Sequence, residues 1–110
     1  LIVPLNHEHT LLDIFSEWKF PVVLVSSHYL GSINHTLLSI EALKNRNIPI
    51  LGIVFNGVSL PYTEEVILEM SGLPVLLKIP TVENVNSDFI SEMALNVQTA
   101  IIKQYYATVV

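Results

Sequence analysis

Residues 21–43 read PVVLVSSHYLGSINHTLLSIEAL and decide the fold. The apolar run at residues 21–25 is rich in β-branched side chains and predicts a buried central strand. The chain then turns at Leu30-Gly31-Ser32 and enters a helix, predicted over residues 32–45, whose apolar residues recur at every third or fourth position. A strand followed directly by a turn and a helix is the repeating unit of a parallel α/β sheet.

The start of this helix predicts an anion site. The first backbone N–H groups of a helix have no partner within it, and the helix dipole is positive at that end. Gly31 lets the backbone approach a ligand closely, and Ser32 can cap the helix. We therefore expect the segment to bind a carboxylate or a phosphate, with an ordinary strand-to-helix turn as the alternative.

The rest of the chain alternates between strand and helix patterns. We predict a short strand or strand end at residues 2–5, further strands at residues 48–55 and 73–79, and further helices at residues 10–18 and 63–70 and from residue 87 onward. This order predicts an α/β fold with a parallel sheet and helices on both faces. Ligands of such sheets bind beyond the carboxyl ends of the strands, so the loops 26–32, 56–62 and 80–87 are the candidate site segments.

Capping residues predict where the later helices begin and end. Thr63 is the expected N-cap of its helix, and Gly72 is expected just past the end of that helix. Ser87 or Asp88 is expected to cap one long last helix. Its apolar face is formed by Phe89, Met93, Val97 and Ala100 or Ile101.

Length and composition favour one domain, residues 1–110, and exclude several classes of protein. Hydrophobic residues make up 51% and charged residues 14%, which suggests strands covered on both faces. No apolar run approaches the roughly 20 residues of a spanning helix. A net charge of −5 with five Lys and Arg argues against nucleic-acid binding. The absence of cysteine excludes disulfides and thiolate metal sites, and it is compatible with the cytoplasmic location that we expect.

Two strand ends could contact a ring. Asn56 follows a predicted strand, and its amide could pair with the edge of a base, although Asn-Gly is also a common turn former. Pro80 ends the next strand and leaves backbone groups nearby free to face a ring, although it could simply stop the strand.

Other polar residues give weaker signals. The histidines His7, His9, His28 and His35 lack metal-ligand spacing and are interpreted as surface residues. Glu64, Glu65 and Glu69 are interpreted as a solvated helix face. The phosphate-loop pattern G-x-x-x-x-G-K-[ST] does not occur in the chain.

The block LGSINHTLL at residues 30–38 resembles the Leu-Gly-x-Ile/Leu-Asn-His-x-Leu-Leu block of the dethiobiotin synthetase family. GIVFNG at residues 52–57 resembles the next strand end of that family. TEEVI at residues 63–67, SGLPVL at residues 71–76 and the Ile-Pro pair at residues 79–80 also resemble the family. LIVPL at residues 1–5 resembles the segment after its Glu-Gly-Ala-Gly-Gly motif. The likeness covers nearly the whole chain and is least specific in the last helix.

This resemblance implies an activity and a fold. The family closes a cyclic urea from 7,8-diaminopelargonate and CO₂ with ATP and Mg²⁺, and it works as a homodimer with its active site at the subunit interface. The implied architecture is a P-loop NTPase-like three-layer fold, of which this chain is the C-terminal part. The phosphate loop, catalytic lysines and metal ligands of the family precede the segment that matches Leu1. No catalytic or metal residue is therefore expected in this chain, and the isolated chain is expected to be inactive.

The resemblance also implies site residues. Asn56 is expected to contact the adenine edge, and Ile79, Pro80 and Thr81 are expected to line the base pocket. The amides of Gly31, Ser32, Ile33 and Asn34 are expected to hold the distal carboxylate of the diamine bound in the partner subunit. Leu77 stands where many members have Gly, and it could narrow the base pocket.

The start at Leu1 rather than Met, inside a predicted strand, favours a fragment or a processed piece. The first strand of the family's sheet would then be missing, and we expect the isolated piece to aggregate or dimerise through the exposed sheet edge. Two alternatives to the synthetase remain. One is a non-catalytic, synthetase-like binding module that lacks the phosphate loop, and the other is an amidating synthetase of the same nucleotide-binding superfamily.

Overall fold

The computed structural model describes residues 1–109, with side chains described for residues 1–107. Its sheet has three parallel strands in the order β1-β2-β3, namely β1 (Val22–Ser26), β2 (Ile50–Asn56) and β3 (Val75–Ile79). Five helices surround it: α1 (Leu11–Trp18), α2 (Ser32–Asn45), α3 (Pro61–Ser71), α4 (Ser87–Asn96) and α5 (Thr99–Val109). The α/β class and the parallel sheet are confirmed.

The main core lies between β2 and the helix pair α2 and α3. Ile53 and Phe55 of β2 pack there against Ile40 of α2 and Ile67 of α3, and all four side chains are buried. A second cluster joins Leu12 of α1 to the end of α2. Helix α5 contacts β2 and helix α4 contacts β3. In the described part of the chain, no helix is long and apolar enough to cross a membrane.

Gly52 allows β2 and β3 to approach each other closely. A Cβ atom at this position would lie 2.6 Å from the Pro74 carbonyl oxygen and 2.7 Å from Leu76 Cγ. The Ile53 N–H donates to the same Pro74 oxygen at 2.9 Å. Since a backbone carbonyl held in this way cannot give way to a side chain, only glycine fits here.

The strand predicted at residues 2–5 is wrong. Residues 1–9 contain only a single antiparallel bridge residue, Pro4, which pairs with Thr10. Pro4 lacks the N–H that a strand ladder needs, and the Asn6 side chain accepts the backbone N–H groups of Glu8 and His9 at 2.8 and 2.7 Å. The chain therefore turns back onto the start of α1 instead of adding a strand.

The single long last helix is also wrong, because α4 ends at Asn96 and α5 begins at Thr99. Val97 is extended, with φ −63° and ψ 133°, and the Gln98 N–H donates to the Leu76 carbonyl of β3 at 2.9 Å. This contact with the sheet edge interrupts the helix. The apolar spacing continues across the break, so it did not reveal the interruption.

Three predicted N-caps differ from the observed ones. Helix α2 has Gly31 at its N-cap, with φ 90°, in place of Ser32. Helix α3 starts at Pro61 after Leu60, earlier than the predicted Thr63, because proline suits the first helical position. Helix α4 is capped by Asn86, whose side chain accepts the Phe89 N–H at 2.9 Å, in place of Ser87 or Asp88. The predicted Gly72 end of α3 is confirmed, with φ 68°.

The outer edge of β1 is open, because no strand within residues 1–109 pairs with it. Leu24 packs against the main core, so the alternating residues Val23 and Val25 face the other way. They are 41% and 61% exposed. The expected cover on both faces is therefore incomplete at this strand.

Candidate functional site

Two cavities of about 560 Å³ each open beside the loops that follow the strands. The β3 cavity lies between the end of β3 and the loop after β2. It is lined by Phe55, Gly57, Val58, Ser59, Glu64, Lys78, Ile79, Pro80, Thr81 and Met93. The α2 cavity lies at the start of α2. It is lined by Tyr29, Leu30, Gly31, Ser32, Ile33, Asn34, Leu37, Leu60, Thr63 and Met70.

The β3 cavity brings together three of the residues expected around a base, Ile79, Pro80 and Thr81. Its walls are largely apolar and include a few polar side chains, which suits a flat heteroaromatic ring. The residue that resembles the adenine contact of the family, Asn56, is exposed at the end of β2 and pairs in register with Ile79. Asn56 lies between two lining residues but does not itself line the cavity.

Leu77 does not line the β3 cavity. It borders a different cavity, beside Asn96 and Gln98. The Leu77 side chain therefore does not directly narrow the β3 cavity.

The α2 cavity brings together all four residues expected at the anion site, Gly31, Ser32, Ile33 and Asn34. The Ser32 N–H already donates to the Tyr29 carbonyl at 3.0 Å. No side chain in the described part of the chain caps α2, so the next amides, of Ile33 and Asn34, carry the anion-binding capacity.

The loop before α2 is braced by a pair of aromatic side chains. The Tyr29 hydroxyl lies 2.9 Å from His35 Nδ1, and the two ring centroids are 5.6 Å apart. The His35 ring lies against Gly31, with Cε1 3.7 Å from the position of a Gly31 Cβ. His35 therefore helps to fix the turn that presents the α2 amides.

A polar cluster around one buried carboxylate, which sequence reasoning missed, lies at the β3 cavity. It consists of Glu64, His28, Ser59 and Lys78, and we call it the Glu64 cluster. The Oε1 atom of Glu64 lies 3.0 Å from His28 Nε2 and accepts the Ser59 hydroxyl at 2.9 Å. The Oε2 atom accepts the Lys78 ammonium. Glu64 is only 2% exposed.

The Glu64 carboxyl group is ionised in this cluster. Burial alone would raise its pKa, but hydrogen bonds from Lys78, His28 and Ser59 outweigh burial and lower the pKa from 4.5 to about 2. Because an ionised carboxylate only accepts hydrogen bonds, His28 Nε2 is the donor in their contact. The other ring nitrogen, His28 Nδ1, is buried and has no hydrogen-bond partner among the described residues.

The interpretations of His28 as a surface residue and of Glu64 as part of a solvated face are both wrong. His28 stacks on Phe55, with ring centroids 5.5 Å apart and 28° between the planes. One signal for Glu64 was present in the sequence, because it shares a helix face with the buried residues Ile67 and Ser71, three and seven positions later.

The other polar residues form no metal site in residues 1–109. Neither His7 nor His9 is buried, as expected for surface histidines. No group of three or more His, Cys, Asp or Glu side chains that the structure describes could hold a metal ion together.

A family model described as an AAA domain matches residues 1–88, which include every expected site residue. The chain belongs to this family. Proteins named ATP-dependent dethiobiotin synthetase BioD are also similar to it. The one from Brucella anthropi is 48% identical over 80% of this chain and 42% of its own length. The one from Afipia carboxidovorans is 40% identical over 91% of this chain and 50% of its own length.

A third relative of the same name, from Christiangramia forsetii, is 51% identical over 72% of this chain and 38% of its own length. These matches confirm the resemblance to the dethiobiotin synthetase family. The chain spans about half, or less, of the length of the relatives it matches.

Proposed function

We propose that this chain is the base-binding and carboxylate-binding part of an ATP-dependent dethiobiotin synthetase, a ligase of biotin synthesis. The observation that carries the proposal is the 48% identity to a relative of that name over 80% of the chain. The two cavities support it, because they gather all the residues that the resemblance assigns to the nucleotide and to the substrate except Asn56, which lies between two residues of the β3 cavity lining.

The proposed reaction joins one carbon to two amines of 7,8-diaminopelargonate. One amine attacks CO₂ and forms a carbamate, releasing a proton. The γ-phosphoryl group of ATP is transferred to a carbamate oxygen, leaving ADP. The second amine then attacks the carbonyl carbon and loses a proton, the new C–N bond forms, and the C–O bond to phosphate breaks. The product is a cyclic urea, and the by-products are ADP and inorganic phosphate.

In this proposal, the α2 cavity positions the substrate. The N–H groups of Ile33 and Asn34 donate to the distal carboxylate of the diamine, which is bound in the partner subunit of a homodimer. These amides are fixed by the helix, so they need little reorganisation when the carboxylate arrives. The apolar walls, including Leu30, Leu37 and Met70, suit the aliphatic chain that leads to that carboxylate.

The β3 cavity holds the adenine ring of ATP in the same proposal. Ile79 and Pro80 pack on the ring, and Thr81 supplies polar groups at its edge. Asn56 pairs its amide with the adenine edge, where one acceptor and one donor lie in one plane. ATP supplies the phosphoryl group, and the described residues of this chain orient only its base.

Three further parts of the proposal concern the whole protein. Mg²⁺ is expected with ATP, but the described residues do not fit it, since they form no three-ligand group. We assign the Mg²⁺ ligands and the catalytic groups to the part of the enzyme that corresponds to the uncovered half of its relatives. The proposed enzyme works in the cytoplasm.

The test is an activity assay on the protein as its gene encodes it. The protein is incubated with ATP, Mg²⁺ and bicarbonate, with and without 7,8-diaminopelargonate, and ADP is measured. ADP formation that depends on the diamine, with one phosphate released per ADP, supports the proposal. ADP formation that is independent of the diamine, or no turnover by a folded protein, contradicts the proposal.

A further inference from the structure

We propose that Glu64 is a positioning residue that couples the β3 cavity to the α2 cavity, so that a ligand in one cavity tightens binding in the other. The inference rests on the proposed function, because its two ligands are the nucleotide and the carboxylate-bearing diamine. The geometry that points to it is the Glu64 cluster: Ser59, Glu64 and Lys78 line the β3 cavity, and His28 directly precedes Tyr29, which lines the α2 cavity.

The Glu64 cluster joins α3 to three other segments that border the cavities. Its His28 side chain comes from the loop after β1 and directly precedes Tyr29, which lines the α2 cavity. Its Ser59 side chain comes from the loop after β2 and lines the β3 cavity. Its Lys78 side chain comes from β3, next to Ile79.

Glu64 and Ser59 are also next, along the chain, to residues of the α2 cavity. Glu64 lines the β3 cavity, while its neighbour Thr63 lines the α2 cavity. Ser59 likewise lines the β3 cavity, while the following residue, Leu60, lines the α2 cavity. We expect a displacement of the Glu64 carboxylate to shift its partners Ser59 and Lys78 in the β3 cavity and, through His28, the loop that carries Tyr29.

The chemistry of the cluster makes its members move together. The buried carboxylate carries a full charge and needs its donors, because the loss of one donor leaves buried charge uncompensated. Lys78 is the member that a ligand can reach, since its side chain is 53% exposed whereas that of His28 is 5% exposed. A ligand that fixes Lys78 and Ser59 in the β3 cavity therefore also fixes Glu64 and, through it, His28 and the loop at Tyr29.

Binding titrations test this coupling. The dissociation constant of a non-hydrolysable ATP analogue is measured by calorimetry, with and without saturating 7,8-diaminopelargonate, on the protein as its gene encodes it. In the unaltered protein we expect the diamine to tighten nucleotide binding by at least about fivefold, the lower end of usual coupling. Because coupling is reciprocal, the nucleotide must tighten diamine binding by the same factor.

Glu64→Gln keeps the size of the side chain and removes the charge. We expect the coupling factor to fall to about one in this variant. Glu65→Gln is the matched control, because Glu65 is the exposed neighbour on the same helix, and it should keep the full factor. If Glu64→Gln does not fold, His28→Leu is tested instead. It removes only the contact between Glu64 and the loop before α2, and it should likewise abolish coupling.

The outcomes separate the two proposals. If both ligands bind the unaltered protein but without coupling, or if folded Glu64→Gln or His28→Leu keeps the factor, the inference is overturned and the proposed function stands. A merely structural role of Glu64 would lower the melting temperature and leave the factor unchanged, which also overturns the inference. If neither ligand binds the unaltered protein, the proposed function falls and the inference falls with it.

Discussion

The Oε1 atom of Glu64 lies 3.0 Å from Nε2 of His28, although the two residues are 36 positions apart in the sequence. Both side chains are almost fully buried, at 3% and 5% exposed. Burying an ion in this way is unfavourable unless several donors surround it, and here His28, Ser59 and Lys78 do so. The pair therefore ties the loop after β1 to the first turn of α3.

Glu64 makes the stability of the fold depend on pH. Its pKa is about 2 in the folded protein and 4.5 in the unfolded reference, so the unfolded chain binds more protons in this range. Its contribution, about 3 kcal/mol, is fully present above pH 4.5 and is lost as the pH falls toward 2. Urea unfolding at several pH values measures it.

The comparison must be made with Glu64→Gln, because Asp13 titrates in the same range. Hydrogen bonds from the Thr10 backbone, then from Arg46, lower the Asp13 pKa to about 2. We expect the stability gap between the unaltered protein and Glu64→Gln to narrow steadily below pH 4.5. A gap that stays constant down to pH 2 would show that Glu64 is not held ionised by its partners.

Asn34 offers a test of the amides at the start of α2. Asn34→Pro removes the N–H of this residue in the first turn of the helix, where proline is tolerated best, while Asn34→Ala removes only the side chain. We expect Asn34→Pro to raise the KM for the diamine by about tenfold, as for the loss of one charge-assisted hydrogen bond, and to leave the KM for ATP unchanged. Steady-state kinetics and circular dichroism check this.

Asn34→Ala is the control for that experiment and should keep the KM for the diamine within about twofold, since surface side chains contribute little. An equal rise of KM in both variants would assign the contact to the side chain. If the KM for the diamine rises in neither variant, Asn34 does not belong to the carboxylate site.

Asn56 is expected to select adenine. Asn56→Ala should raise the KM for ATP by about tenfold and narrow the preference for ATP over GTP, because a bidentate Asn–adenine pair contributes about 1–3 kcal/mol of discrimination. The measurement is initial rate against each nucleotide. Asn45→Ala, at the exposed end of α2, is the control. Unchanged nucleotide preference in Asn56→Ala would refute the assigned role.

Gly52→Ala is expected to destabilise the sheet. Its methyl group would meet the Pro74 carbonyl oxygen at 2.6 Å, and the resulting shift should lower the free energy of unfolding by about 2 kcal/mol. Gly57→Ala is the comparison, because its methyl group meets nothing within 4 Å and only its backbone, at φ 113°, is strained. Chemical denaturation measures the free energy of unfolding of both variants. A Gly52→Ala protein as stable as the unaltered one would contradict the close strand approach.

The open edge of β1 predicts association when the 110-residue chain is made alone. Val25 is 61% exposed beside unpaired backbone groups, and such edges pair with other strands. We expect light scattering to detect dimers or larger species, and we expect Val25→Lys to reduce them. Val58→Lys places the same charge on an exposed loop residue and should not reduce the amount of these species. A monodisperse monomer of the unaltered chain would contradict the prediction.

The strand-turn-helix unit around Gly31 was predictable, because an apolar β-branched run, a glycine and a helical period follow one another without ambiguity. The bounds of α2 and the end of α3 at Gly72 followed from the same local signals. The first segment was not predictable in this way. Its apolar residues suggested a strand, but Pro4 and the Asn6 turn direct the chain back onto α1.

The two cavities could be anticipated from the loops after the strands, but the Glu64 cluster could not. Its members come from four segments, and only the packing of α3 against the sheet brings Glu64 into contact with Lys78 and His28. Sequence spacing reports neighbours along one helix and not contacts between Glu64 and a residue 36 positions away. Likewise, the break at Val97 depends on the Gln98 hydrogen bond to β3, which is a tertiary contact.

The central claim is that the protein joins CO₂ to a diamine, and isotope labelling tests it most directly. The protein as its gene encodes it is incubated with ATP, Mg²⁺, 7,8-diaminopelargonate and ¹³C-bicarbonate, and the products are analysed by mass spectrometry. We predict dethiobiotin that is heavier by its one labelled carbonyl carbon, formed together with ADP. A folded protein that binds ATP but returns the diamine unchanged would contradict the claim and leave a binding module in its place.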